Sequence, residues 1–520
     1  MSNQHPKQSG VTRRQMLGWL GAAPAAAMLP WDPVSAQASS GTLRVRFGSD
    51  VGNLDPAKIF AIENQTVAGH VYNGLVKYDQ KTNKIVPDLA SSWEITPDGT
   101  VFTFKLRDGV KFHKGYGQLT SDDVKFSLDR ILDPATASPY RGQLSAIKSV
   151  EAVDPLTVRI TTNGPAAGLL HKLCAFNQGW IVSRKAVTEI GDKYAMQPIG
   201  TGPFVFDKWT PGSETRVIAN KEYFEGAPKV NDVIFRVIKD ETAAAIALEK
   251  REIDIFFAMQ QPEIIARLSK AKGITMMDRL ANNTINLVLN TTVKPLDDVR
   301  VRRAMAHAMN RKALIDGFFK GTKGEANTVL TPAFVEFTDD VMKYPYDPAK
   351  AKALLKEAGL EKGFKFTLTS VGLSPYDKIP VPLAEDLKEV GIDTTVQVLE
   401  RAAYGQARAK GDVQSCITGL VGPPDPDSPL VSLYSTKSFP PGLNTSRYDK
   451  VDDLLAKASR TLDDKARIAV YHEILRKTAE DQPVIPIYQD RLFMAHTDAV
   501  QGLVQNSLFT VNTYGVTFKG

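Results

Sequence analysis

The sequence predicts an α/β protein of two or three lobes, and three observations carry that prediction. The chain has 520 residues with 43% hydrophobic content, more than one ordinary core accommodates. Pro87 to Gly115 reads as a turn-separated β-meander. After Gly273 the pattern changes to alternating strands and helices, the mark of crossover units.

Residues 43–47 read as a first strand. In the meander, Val101, Thr103, Lys105 and Arg107 alternate with Phe102, Phe104 and Leu106, the two-residue period of strands buried on one face. Pro97-Asp98-Gly99 supplies a preset φ, an Asx acceptor and a residue tolerant of positive φ, and Asp108-Gly109 repeats the device. Residues 120–132 predict a helix capped by Ser121 or Asp122 and ended by Asp133-Pro134. Strands follow at Leu156 to Thr161, Gly202 to Trp209 and Val217 to Asn220. Gly200-Thr201-Gly202-Pro203 resembles a phosphate loop superficially, but it lacks the lysine and the following helix, and Phe204-Val205-Phe206 begins a strand instead.

Ile285 to Asn290 predicts a buried strand and Asp297 to Phe319 a helix with apolar positions at Val299, Ala304, Met305, Ala308, Met309 and Ile315. Its arginines Arg300, Arg302, Arg303 and Arg311 predict a solvated face rather than an anion site. Asp347-Pro348 caps a helix that stops at Gly359; Phe364 to Leu368 is a strand, Val381 to Val390 a helix and Ile392 to Val398 a strand. Strand, helix, strand at this spacing predicts a partly parallel sheet.

Asn53-Leu54-Asp55-Pro56, Val71-Tyr72-Asn73-Gly74-Leu75, the meander and Ser121-Asp122-Asp123-Val124 together resemble the extracytoplasmic solute-binding proteins of family 5, the peptide and nickel receptors of ABC importers. Residues 198–209, 220–238, 289–311 and 346–360 extend the resemblance over residues 43–500. It implies a two-lobed, hinged periplasmic-binding-protein fold of the Venus-flytrap kind, with an extra small β-rich subdomain in the first lobe. The implied parts are a first lobe of 39–85, 170–275 and 490–520, a subdomain of 86–169 and a second α/β lobe of 276–489. Chain crossings near residues 275 and 490 would form the hinge, and closure around a small-molecule or peptide ligand would create the surface read by inner-membrane ABC permease subunits. A monomer is expected.

The resemblance also points to ligand contacts. They are Phe60, Ala61, Ile62 and Glu63 after Asn53-Leu54-Asp55-Pro56; Asn283 and Tyr404 in the second lobe; and the segment holding Ile417, Thr418, Gly419, Leu420 and Asp425. Here the chain departs from the peptide binders, which carry an Asp shortly after the strand to pair with the ligand's α-ammonium group. One alignment puts Leu420 there and the other Gly422, and neither balances a buried positive charge. Asp425 or Glu63 could substitute, although the Pro-Asp-Pro context assigns Asp425 a structural turn. The expectation is therefore a neutral, anionic or aromatic solute rather than an ordinary free-amino peptide, with a di- or oligopeptide as the alternative.

Charge and motifs narrow the other classes. The formal net charge of +6 contains no basic run, which argues against nucleic-acid binding. Residues 1–38 read as an export signal, with Arg13-Arg14 before a mild apolar stretch and Ser35-Ala36-Gln37-Ala38 before the expected cleavage, fitting the twin-arginine route to the periplasm with Sec export as the alternative. Cys174 and Cys416 are the only cysteines, expected as separate buried thiols. The seven histidines are scattered, so neither a zinc site nor, with none in the three cleft segments, nickel is expected. No cofactor is implied. Gly-x-Ser-x-Gly and His-Glu-x-x-His are absent, which argues against an enzyme. The paired acids Asp122/Asp123, Asp297/Asp298 and Asp452/Asp453 read as helix starts. A periplasmic chaperone, sensor or hydrolase on the same fold is the competing class.

Overall fold

A computed structural model describes residues 41–59, 61–174, 176–420 and 424–519. The expected export signal at residues 1–38, Phe60 and Val421 to Pro423 lie outside them. One mixed sheet of eleven strands runs through the molecule. Its order along the main path is Ile392–Leu399, Phe364–Val371, Ser415–Gly419, Ile274–Leu289, Val484–Thr497, Ile255–Met259, Thr42–Phe47, Asp232–Val237, Glu214–Ala219 and Phe204–Thr210.

The predicted crossover is present. Phe364–Val371 and Ile392–Leu399 pair in parallel from Phe364↔Ile392 to Val371↔Leu399, with helix Pro380–Glu389 between them in sequence. The predicted strand at Ile285 is the end of a sixteen-residue strand, Ile274–Leu289, paired antiparallel with Val484–Thr497 from Ile274↔Thr497 to Val288↔Val484. These two long strands join the two lobes. Hydrophobic clusters built from residues 43–268 and 493–516 lie on one side, and clusters built from residues 285–488 on the other. A register shift interrupts the pairing between Leu280 and Thr284.

The meander forms as its alternation requires. Val101–Leu106 buries Phe102 and Phe104 completely and joins a four-stranded antiparallel sheet with Ala90–Ile95, Ile147–Asp154 and Thr157–Thr162. Gly99 and Gly109 adopt φ of 69° and 76°, the left-handed turn positions that their Asp-Gly contexts predict. Both cysteines are free and buried.

Two local expectations are corrected. Helix Ser121–Leu132 is capped by Thr120, not Ser121 or Asp122, and the Asp123 carboxylate reaches back to accept the Thr120 backbone N–H at 3.0 Å. The helix expected over 297–319 ends at Ala308, because the Asn310 side chain accepts the Ala313 N–H at 3.0 Å and starts a new turn. Of its arginines, Arg300 is exposed and pairs with Asp298, but the other three do not form a solvated face. Arg302 and Arg303 donate to the carbonyls of Asp481 and Glu480 at 2.7 and 2.8 Å, satisfying the last turn of helix Asp464–Asp481, and Arg311 donates to the Pro486 carbonyl at 3.2 Å.

Candidate functional site

The first-lobe candidates sit at the start of helix Ile62–Val71, where Ala61 is the N-cap and Glu63 lies in the first turn, half-buried. Asn53-Leu54-Asp55-Pro56 holds that start in place. Asn53 Oδ1 accepts the Asp55 N–H at 2.8 Å, Asp55 accepts the Ala57 N–H at 3.1 Å, and Arg130 clamps the Asp55 carboxylate from helix Ser121–Leu132. Ile62 packs against the first-lobe core.

In the second lobe, Ser415–Gly419 pairs with the long strand as Asn286↔Thr418 and Leu287↔Ile417. Ile417 is a core residue, Thr418 is buried, and Leu420 is half-buried at the strand's end. A Cβ on Gly419 would lie 2.8 Å from the Tyr376 hydroxyl, so the glycine admits that phenol. Tyr404 donates to the Ile417 carbonyl at 2.6 Å, which commits its hydroxyl to the strand. Asn283 lies inside the long strand rather than before it and donates to Asp490 at 2.8 Å. Asp490 also receives Lys323 Nζ at 2.7 Å, and Lys323 lies over the rings of Phe319 and Tyr488 at 5.6 and 5.5 Å. Asn283 Oδ1 and the Tyr488 hydroxyl, on the strands that join the lobes, are buried with no partner. Sequence reasoning missed Lys323, Tyr376, Tyr488 and Asp490, which carry no motif and come together only in the folded chain.

Asp425 stands apart from these groups. It is fully buried and ion-paired with Lys172 of the first-lobe helix Leu169–Leu173. Burial pulls the Lys172 pKa down, but the Asp425 carboxylate more than offsets it, and the net shift is upward. Asp427 accepts the Tyr471 hydroxyl at 2.7 Å. The lobes also meet where the Ala167 N–H donates to the Ser459 carbonyl at 3.0 Å and Asn83 to the Ala333 carbonyl at 2.6 Å.

Beside Asp425 lies Glu336, 4% exposed, with Oε2 unpartnered. Burial first, then the Asp425 and Asp427 charges, lift its pKa from 4.5 to about 7 against the pull of Arg467. Below pH 4.5 the group is protonated both folded and unfolded. As pH rises towards 7 the unfolded chain ionises while the folded one resists, so stability falls across that window by up to about 3 kcal/mol. Glu336→Gln is expected to flatten this part of the stability profile and to be more stable than the parent at pH 8, measured by urea unfolding. Parallel profiles would refute it.

Residues 84–440 match the family model of the bacterial extracellular solute-binding proteins, family 5, middle. The chain belongs to this family. It has the two-lobed fold of periplasmic binding proteins, and family 5 membership makes it the solute-binding component of an ABC importer. The dipeptide-binding protein of Escherichia coli (strain K12) is 32% identical over 469 residues, 84% of this chain and 87% of that one. An ABC transporter-associated periplasmic binding protein from Helicobacter pylori, in complex with peptide STSA, has TM-score 0.76 and 30% identity, covering 92% of this chain and 98% of that chain. A binding protein from A. tumefaciens R10 in complex with mannopinic acid has TM-score 0.74 and 30% identity, covering 93% and 100%. These family 5 relatives are binding proteins rather than enzymes, and among the described residues no helix is long and apolar enough to cross a membrane.

Proposed function

We propose that this family 5 receptor captures a neutral, anionic or aromatic solute in its interlobe cleft, rather than an ordinary free-amino peptide, and hands it to an inner-membrane ABC permease. The observation that carries this reading is the state of Asp425. Its charge is already matched by Lys172 in a buried pair, so a peptide ammonium placed there would have to displace that lysine. Leu420 and Gly422, the two residues that alternative alignments put where peptide receptors carry their aspartate, offer no replacement charge. The contacts proposed for the solute are the Ala61 to Glu63 turn on the first lobe and Asn283, Thr418, Gly419 and Leu420 on the second, with strands Ile274–Leu289 and Val484–Thr497 as the hinge. That a similar protein is seen with mannopinic acid supports a non-peptide solute. The mature protein is proposed to be a periplasmic monomer, exported by the twin-arginine route and cleaved near Ala38.

Calorimetric titration with unmodified di- and tripeptides tests this directly. No micromolar binding is expected, and sequence-tolerant micromolar binding would overturn the reading. A second reading, a di- or oligopeptide receptor, is favoured by the peptide ligands in the names of similar proteins. It requires Glu63 or Asp425 to hold the ammonium group, so Glu63→Ala or Asp425→Ala would then abolish peptide affinity.

A further inference from the structure

A contact between the lobes begins at one of the strands that join them. On the second lobe, the Thr331 hydroxyl ties the turn at residues 331–337 to strand Ile274–Leu289 by donating to the Ala281 carbonyl at 2.7 Å, and Asn83 of the first lobe donates to the Ala333 carbonyl of the same turn. Helix Leu169–Leu173 of the first lobe brings Lys172 onto Asp425. The backbones approach closely beside that pair. A Cβ on Gly168 would lie 2.5 Å from Asp427 Oδ2, and one on Gly99 would lie 3.0 Å from Leu462 Cδ2.

The charges of this contact balance only while Glu336 is neutral. Lys172 pairs with Asp425, and Arg467 pairs with the exposed Asp464 at 2.7 Å, so both cations are taken. Asp427 is buried beside Asp425 and accepts the Tyr471 hydroxyl. From the first lobe, Tyr78, His171 and Cys174 face the same acids. Burial pushes the Tyr78 phenol and the Cys174 thiol up and holds His171 down at about 4, so none of the three carries charge at neutral pH. Glu336 is 4% exposed, with Oε2 unpartnered. Ionised, it would add a third buried carboxylate to Asp425 and Asp427 with no cation left to match it. Tyr78 of the first lobe faces it, so parting the lobes here uncovers it to water.

We propose that this contact is a proton-gated lock between the lobes: with Glu336 protonated it holds the lobe arrangement described above, and loss of that proton to solvent parts the lobes at Lys172 and Asp425. A free glutamate ionises near 4.5 and the enclosed one resists to about 7, so the lock has full strength below pH 4.5 and weakens as pH rises to 7. The ratio of parted to locked protein is expected to rise by at most about a hundred-fold between pH 5 and pH 8. The lock acts on the lobes themselves, so it does not depend on which solute the cleft takes.

Spin labels on Glu94→Cys and Lys465→Cys, exposed positions on the first and second lobes, report the lobe separation by double electron–electron resonance in the mature, solute-free protein, while Cys174 and Cys416 are buried and stay unlabelled. One narrow distance is expected at pH 5, and a second, longer one that grows reversibly towards pH 8 with near-UV circular dichroism unchanged. Glu336→Gln keeps the shape and cannot ionise, so it is expected to hold the short distance at pH 8. Should the amide fail to fold, Glu336→Met serves the same purpose. A distance distribution that stays constant from pH 5 to pH 8 in the parent overturns the proposal. So does a long distance that still grows when Glu336 cannot ionise, because another group would then hold the proton, or one that grows only with loss of the near-UV signal, because the protein would then be unfolding.

Discussion

Lys172→Met is expected to destabilise the protein by about 3–5 kcal/mol. The size follows from burial. Asp425 has no exposed side-chain surface and the Lys172 side chain only 18%, so solvent screens the pair weakly. Methionine keeps the aliphatic stem and removes the ammonium group, which leaves a buried carboxylate among Asp427 and Glu336 with Arg467 as the remaining nearby cation. The cost is that of the orphaned charge, not the net worth of the pair. Lys172→Met/Asp425→Asn, with both charges gone, is therefore expected to recover most of the loss, a coupling that a double-mutant cycle in urea measures. A single-mutant loss under 1 kcal/mol would mean that water reaches the pair, and the argument that Asp425 is closed to a ligand ammonium would fall with it.

What the sequence could and could not disclose divides by the range of the forces involved. The meander was legible because alternation at Phe102 and Phe104 and the Asp-Gly turns are local, and neither needs a partner elsewhere to take effect. The crossover Phe364–Val371 to Ile392–Leu399 was legible because chain reversal through a helix leaves one sensible pairing. The break at Asn310 was not. Its backbone N–H is held at 2.8 Å by Asp386, 76 residues away, and apolar periodicity runs straight across it. The arginines of that segment were misjudged for the same reason, since the carbonyls they cap belong to a helix some 177 residues later in the chain. At the site, the Pro-Asp-Pro context pointed to a turn at Asp425, whose carboxylate accepts the Asp427 N–H at 3.1 Å. Its partner Lys172 lies 253 residues away in a segment with no motif, and only the folded chain brings them together.

Gly200→Ala is expected to destabilise by about 3 kcal/mol, at the upper end of overpacking effects. Gly200-Thr201-Gly202 looks like a phosphate cradle, but its glycines serve close packing. A Cβ on Gly200 would lie 2.1 Å from the Val71 carbonyl oxygen, and one on Gly202 2.6 Å from that of His70. Both obstacles are backbone atoms that no rotamer change can move, at the very end of helix Ile62–Val71, where the Gly202 N–H donates to the Val71 carbonyl at 2.8 Å. Relief requires the helix to shift, and its other end carries Ala61 and Glu63, so the same substitution is expected to weaken solute capture. Gly109 supplies the control: its φ is 76° but a Cβ there meets nothing, so Gly109→Ala costs only the left-handed conformation, roughly 1–2 kcal/mol. Chemical denaturation of the two variants separates steric overlap from conformational strain. If Gly200→Ala costs no more than Gly109→Ala, the close approach of the segment to the helix is not what this glycine is for, and an open loop able to receive a ligand becomes the better account of the motif.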